Sequence, residues 1–243
     1  MKNLLRIGLV TIFVVLVSVY YFANLEISLD KTLLTISTFL FAIFSGFFIS
    51  RQSSRYGDIR KSDSVIDGNF SAIYRSSSHL GLKFQKKMGE LIKVYYSNIL
   101  SNDSWDYNFT NKTTTLSDIH ALLEKNFGGK TLTSLENSAL GRIMMSLGAI
   151  QQERKNLVAL YEERIPVFEW IPIWFLAGVL ILTLSTTVSS YLSLLDSVLK
   201  GIFGTSVLVI VILLKRLDSL RLFEGIIGEH SARDVVDIID GRK

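Results

Sequence analysis

The chain has 243 residues, 49% hydrophobic and 20% charged, with a net charge of +4 and no cysteine. A mean hydropathy of +0.35, with the apolar residues gathered in long blocks, excludes an ordinary soluble domain and points to the membrane class. The missing cysteines exclude disulfides, thiolate metal sites and cysteine catalysis. Without a concentrated basic stripe, no nucleic acid is expected as a partner.

Residues 1–6 are short and basic, and residues 7–23 are almost wholly apolar, closing on Tyr20, Tyr21 and Phe22. No small-x-small cleavage site follows, so this block reads as an uncleaved first transmembrane helix and not as a signal peptide. Lys2 and Arg6 then stay inside, and the tyrosines sit in the far aromatic belt. Residues 24–31 suffice only to reverse direction. From Thr32 to Ile49 there is no charge, and Arg51, Arg55 and Arg60 follow in quick succession. At about 1.5 Å per residue the uncharged run just crosses a hydrocarbon core of about 30 Å. The arginines hold its end in the cytoplasm. The first two spans therefore form an antiparallel hairpin.

Residues 51–164 contain no uncharged run long enough to cross again and carry the whole charge excess, 16 basic against 12 acidic side chains. Residues 62–98 carry Val65, Ile66, Phe70, Ile73, Leu80, Leu82, Phe84, Leu91, Ile92 and Tyr95 at helical spacing, which suits amphipathic helix. Residues 101–115 are a polar break. Asn102, Asn108 and Asn111 stand in glycosylation sequons, which carry no meaning in a cytoplasmic placement. Thr115 or Ser117 caps a helix that runs to Phe127 and stops at Gly128 and Gly129. Ser134 is the expected cap of a long helix through Leu140, Ile143, Met144, Leu147, Ile150, Leu157, Leu160 and Tyr161.

Residues 165–182 form a third apolar block with Pro166 near its start, where helices tolerate proline. Trp170 and Trp174 mark the inner interface. Residues 183–200 belong at the outer face. A fourth span begins near Leu195, carries Asp196 and Lys200 at the outer interface, and ends at Lys215, Arg216 and Arg221. Residues 232–239 read as a helix in the tail. The expectation is an all-α membrane protein with four transmembrane helices and both termini cytoplasmic. Its parts are a hairpin (1–50), a cytoplasmic helical domain inserted between spans 2 and 3 (51–164), a second hairpin (165–216) and a tail (217–243). The two hairpins differ in length and loop, so an inverted-repeat transporter is not supported.

Chemistry-bearing residues are few. His79, His120 and His230 are never at ligand spacing on a helix. No Ser-His-Asp set, helical H-E-x-x-H, P-loop or calcium loop occurs, so neither an enzyme nor a cofactor is expected. In the second span Phe39, Ile43 and Phe47 recur every four residues and make one apolar stripe. Facing copies of itself around an axis, such a stripe makes stacked apolar rings that gate a pore by dewetting. Facing lipid or a neighbouring helix, it is ordinary packing. Ser37, Ser45, Gly46 and Ser50 allow close helix approach or a wider, more polar lumen. Arg51, Arg55 and Arg60 are topology anchors or the basic crown of a mouth, which concentrates anions. Asp58 and Asp63 could pair with them. Glu169 is the one acid in an apolar block: an interfacial residue, or a functional intramembrane acid.

The run Gly46-Phe47, Arg55-Tyr56, Arg60 resembles the pore-helix signature of the bestrophin family. There a Gly-Phe pair ends the neck, an Arg with an aromatic follows nine residues later, and bacterial members place another Arg five further on. Phe39, Ile43 and Phe47 fall where that family has its three apolar neck residues. Arg164-Ile165-Pro166 opening the third span, and Asp218 followed by Phe223 and Gly225, resemble the bacterial branch. The family's tandem Trp is Tyr56-Gly57 here, and the acidic calcium clasp of animal members is missing. The resemblance implies a homopentameric anion channel with a hydrophobic neck and a helical vestibule in a bacterial inner membrane, with membrane lipid and small anions as its partners. The other expectation left open is a non-conducting membrane-anchored sensor or scaffold that binds a protein through its cytoplasmic helices.

Overall fold

A computed structural model describes residues 2–22, 31–102, 111, 113–186, 193–220 and 229–242. Among them the regular structure is helical throughout, with no strand. The elements are α1 (Lys2–Phe22), α2 (Lys31–Ser77), a 3-10 turn (Ser78–Leu80), α3 (Leu82–Asn102), α4 (Thr115–Phe127), α5 (Ser134–Glu162), α6 (Val167–Thr186), α7 (Ser193–Asp218) and α8 (Glu229–Ile239). The turn expected at 24–30, the sequon at Asn108, residues 187–192 of the outer segment and the tail motif around Phe223 and Gly225 lie outside the described residues.

Among the described residues three helices are long and apolar enough to cross a membrane: Thr32–Leu80, Val167–Leu184 and Leu194–Asp218. A shorter apolar stretch, Val10–Tyr21, lies in α1. The protein is a membrane protein, and helices suit the bilayer because they satisfy every backbone polar group internally.

The chain divides into two compact units, Met1–Ser54 with Arg164–Leu222 and Arg55–Glu163 with Phe223–Lys243. In the first, Phe41 and Phe48 of α2 share a core with Ile173, Leu176, Ala177 and Leu180 of α6 and with Val207, Val211 and Leu214 of α7. Helix α1 lies along α7, where glycine allows close approach. A Cβ at Gly201 would overlap Val17, and one at Gly204 would lie 3.1 Å from the Tyr20 hydroxyl. That hydroxyl donates to the Ile181 carbonyl on α6 at 3.3 Å. Tyr20 is therefore buried while Tyr21 stays exposed.

In the second unit the buried side chains are Ile59, Ile66, Phe70 and Ile73 of α2, Met88, Ile92, Tyr95 and Tyr96 of α3, Ile119 of α4, Ile143, Leu147 and Ile150 of α5, and Ala232 and Val235 of α8. The amphipathic stretch 62–98 is helical as expected but falls in two helices, the end of α2 and most of α3. Gly81, at φ 104°, takes a conformation that only glycine adopts without strain, and the chain turns there. Val65, expected on the apolar side, is exposed, and Asp67 is buried in its stead. Thr114 holds the N-cap position of helix α4 without a side-chain cap bond, one residue before the nearer of the two expected caps. Thr133, not Ser134, caps α5 through a reciprocal capping box. Its hydroxyl accepts from Glu136 N–H at 3.3 Å, and its own N–H donates to the Glu136 carboxylate at 2.8 Å. Thr133 wins because Glu136 stands three residues after it, the spacing this box requires.

Replacing Gly201 by Val overpacks the α1–α7 contact and is expected to cost about 1–3 kcal/mol. Gly178 has no atom within 4 Å of a built Cβ, so Gly178→Ala gains helix propensity of about 1 kcal/mol. Thermal unfolding in detergent should move down for the first variant and level or up for the second.

Candidate functional site

In the first unit α2 has two faces of opposite fate. Ser37, Phe41, Ser45 and Phe48 recur at helical spacing and are each 4% exposed. Ser45 donates to the Phe41 carbonyl at 2.5 Å, which satisfies its hydroxyl inside the apolar packing. On the far side Phe39, Ile43 and Phe47 are 64%, 51% and 60% exposed. Large apolar rings that touch little of their own chain need another apolar environment. Ile36 is exposed on the same face. Gly46 and Ser50 are exposed as well, and nothing lies within 4 Å of a Cβ built at Gly46. The small residues noted in the sequence thus divide: Ser37 and Ser45 pack inward, while Gly46 and Ser50 accompany the apolar ridge.

The three arginines occupy different environments. Arg51 is half-buried, and its guanidinium lies 3.7 Å from Glu169. Glu169, in the first turn of α6, is thus an ion-pair partner at the charged end of the spans. Arg55 is buried in the second unit at 4% exposure. Its Nε donates to the Leu160 carbonyl at 2.6 Å and its Nη2 to the Tyr161 carbonyl at 2.8 Å. The last carbonyls of α5 have no intrahelical partner and carry the negative end of the helix dipole, so a cation satisfies both needs at once. Tyr56 is buried beside it in sequence, and Arg60 is exposed. Asp63 does not stand among the arginines; it is half-buried in the second unit, one turn before the buried Asp67. Asp58 lines an open groove with Lys61, Ser62, Glu153 and Asn156.

Two segments far apart in sequence meet in the first unit. The Asp218 carboxylate, at the end of α7, accepts from the Ile165 N–H at 2.7 Å. It thereby satisfies a backbone donor just ahead of α6, where the following Pro166 supplies none. Ile165 itself is buried.

Sequence reasoning did not single out Asp67. The available signal was its place four residues after Asp63 on the same side as Ile66, Phe70 and Ile73, where an acid has no reason to lie unless it is partnered.

Among the described residues no group of three or more His, Cys, Asp or Glu could hold a metal. A family model described as the Bestrophin-like domain matches residues 27–228. No curated protein and no solved structure matches the chain.

Removing the Arg55 side chain leaves two carbonyls without their charged donor, each such bond being worth about 1.5–3 kcal/mol. Arg55→Ala should lower thermal stability sharply. Arg55→Lys should recover little, because one ammonium cannot reproduce the planar two-point contact. Melting curves of the three proteins in the same detergent check this ordering.

Proposed function

Because the chain belongs to the Bestrophin-like domain family, we propose that it assembles as a homo-oligomer, a pentamer by its resemblance to bestrophins, and conducts small anions. The second span lines the path, and Phe39, Ile43 and Phe47 form its neck. The family assignment over residues 27–228 carries this reading. The exposed ridge of α2, standing opposite a packed face, supports it. Helix α6 provides a contrast: its exposed Phe168, Ile171, Phe175 and Leu182 are all apolar, as lipid demands. On α2 the ridge is followed, beyond the uncharged run, by Ser50 and Ser54 on the same side, small polar residues suited to a wetted mouth.

In this reading the neck works by dewetting. Stacked rings of Phe and Ile about 6 Å apart, one per turn, deny a hydrated anion the water it would need, until the rings part. Arg51 and Arg60 supply positive potential at the cytoplasmic mouth, which raises local anion concentration. Arg55 contributes by holding the end of α5. The chain crosses a bacterial inner membrane four times, with both termini and the helical segment 51–164 in the cytoplasm.

Purified protein in planar bilayers tests the proposal. Wild type should pass anions. Ile43→Ala and Phe47→Ala should raise the current several-fold, and Ile43→Ser should leak continuously. No current, or a current unmoved by these changes, rejects the pore. A particle without a central axis would leave an anchored helical adaptor in its place.

A further inference from the structure

Helix α2 is unbroken from Lys31 to Ser77, and its buried line keeps one register along that length. Phe41, Phe48, Gln52, Ile59, Ile66 and Ile73 are buried, at steps of four or seven residues. Such steps return to one side of a helix. A buried line that does not slip leaves an opposite line that does not slip either. That opposite line carries Ile43 and Phe47, then Ser50, Ser54 and Gly57, then Lys61, all of them exposed. Nothing lies within 4 Å of a Cβ built at Gly57. Lys61 follows Ile43 by 18 residues, about five full turns and about 27 Å along the helix.

The arginines of α2 leave this line. At about 100° per residue, Arg60 stands one full step round the helix from Lys61, and Arg51 about 80° round. Arg51 also lies 3.7 Å from Glu169, and Arg55 is committed to the last carbonyls of α5. Among the described residues Lys61 has no ion-pair partner. Asp58 and Glu153 line the same open groove as Lys61. Asp58 is about 60° off the line, and Glu153 belongs to α5. The four-carbon stem of Lys61 carries its ammonium further from the backbone than an aspartate reaches.

We infer that Lys61 is the specificity-determining cation of α2, the residue that makes the path prefer anions to cations. This rests on the proposed pore. Where the ridge Phe39–Ile43–Phe47 of each copy faces a shared axis, Lys61 of each copy faces it too, because both belong to one line of one helix. The ammonium groups of the copies then form a ring. It follows a stretch of Ser50, Ser54 and Gly57, whose small side chains leave room for water. The apolar rings of the neck govern whether ions pass and carry no charge to choose their sign. A ring of ammonium groups does choose: it concentrates anions and repels cations. Once Lys61 is neutralised, the charged groups left lining the groove are Asp58 and Glu153, both acids, so the local sign reverses.

Reversal potentials of the full chain in planar bilayers, under a gradient of potassium chloride, test this. Wild type should pass chloride in preference to potassium. Lys61→Gln should lower the chloride-to-potassium permeability ratio several-fold, and Lys61→Glu should lower it further. Arg60→Gln should lower it less than Lys61→Gln does. The chain has no cysteine, so Lys61→Cys allows a second measurement on one folded protein. A thiol reagent that adds an ammonium should raise the ratio of this variant, and one that adds a sulfonate should depress it. A wild-type current whose ratio Lys61→Glu leaves unmoved overturns the role of Lys61 and leaves the pore standing. So does an Arg60→Gln effect as large as that of Lys61→Gln, or a Lys61→Cys ratio that neither reagent shifts. Absence of any wild-type current overturns pore and ring together.

Discussion

A helix buries one line of side chains only if its sequence keeps a compatible residue there at every turn, and α2 does so for 47 residues. In the first unit the inward line is Ser37, Phe41, Ser45 and Phe48; in the second it is Ile59, Ile66, Phe70 and Ile73. The polar members of the line are accommodated one by one. Ser45 donates within its own helix, Arg55 reaches two carbonyls, and Asp67 takes a phenolic hydrogen. What this inward line leaves outside is the ridge Phe39–Ile43–Phe47, the surface on which the proposed pore depends.

Charge in this chain is placed where a helix end or a carboxylate can use it. Arg55 sits on the C-terminal carbonyls of α5, and Asp218 accepts from a backbone donor ahead of α6. Arg51 meets Glu169, and Asp196 meets Lys200 one turn later on α7 at 2.7 Å. A paired guanidinium with part of its surface in water still contributes to potential, whereas one committed to buried carbonyls serves the fold first. The contrast between Arg51 and Arg55 therefore bears on any account of an anion's approach.

The second unit depends on a different economy. Tyr95 and Tyr96 stand edge to face with centroids 5.2 Å apart, and both rings contact Phe70. This aromatic packing dries the space around Asp67, and dryness is what raises its carboxyl. The tail helix, the shortest in the described chain outside the 3-10 turn, packs on α3 through the close approach of Ile239 to Gly89.

The sequence alone determined the helical class, the membrane character and the approximate extent of the apolar blocks. These follow from local composition and period, which act on neighbours along the chain. The spacing of Gly46, Phe47, Arg55, Tyr56 and Arg60 was legible for the same reason and led to the family. Only the tertiary structure decided that Arg55 serves α5, that Asp218 reaches Ile165, that the helix over 62–98 breaks at Gly81, and that Asp67 lies inside. Each of these turns on a partner distant in the chain or on a backbone angle, and neither is written in the periodicity of a single segment. A charged residue on a helix reads the same in sequence whether it meets water, a carbonyl or another acid. Packing alone distinguishes the three.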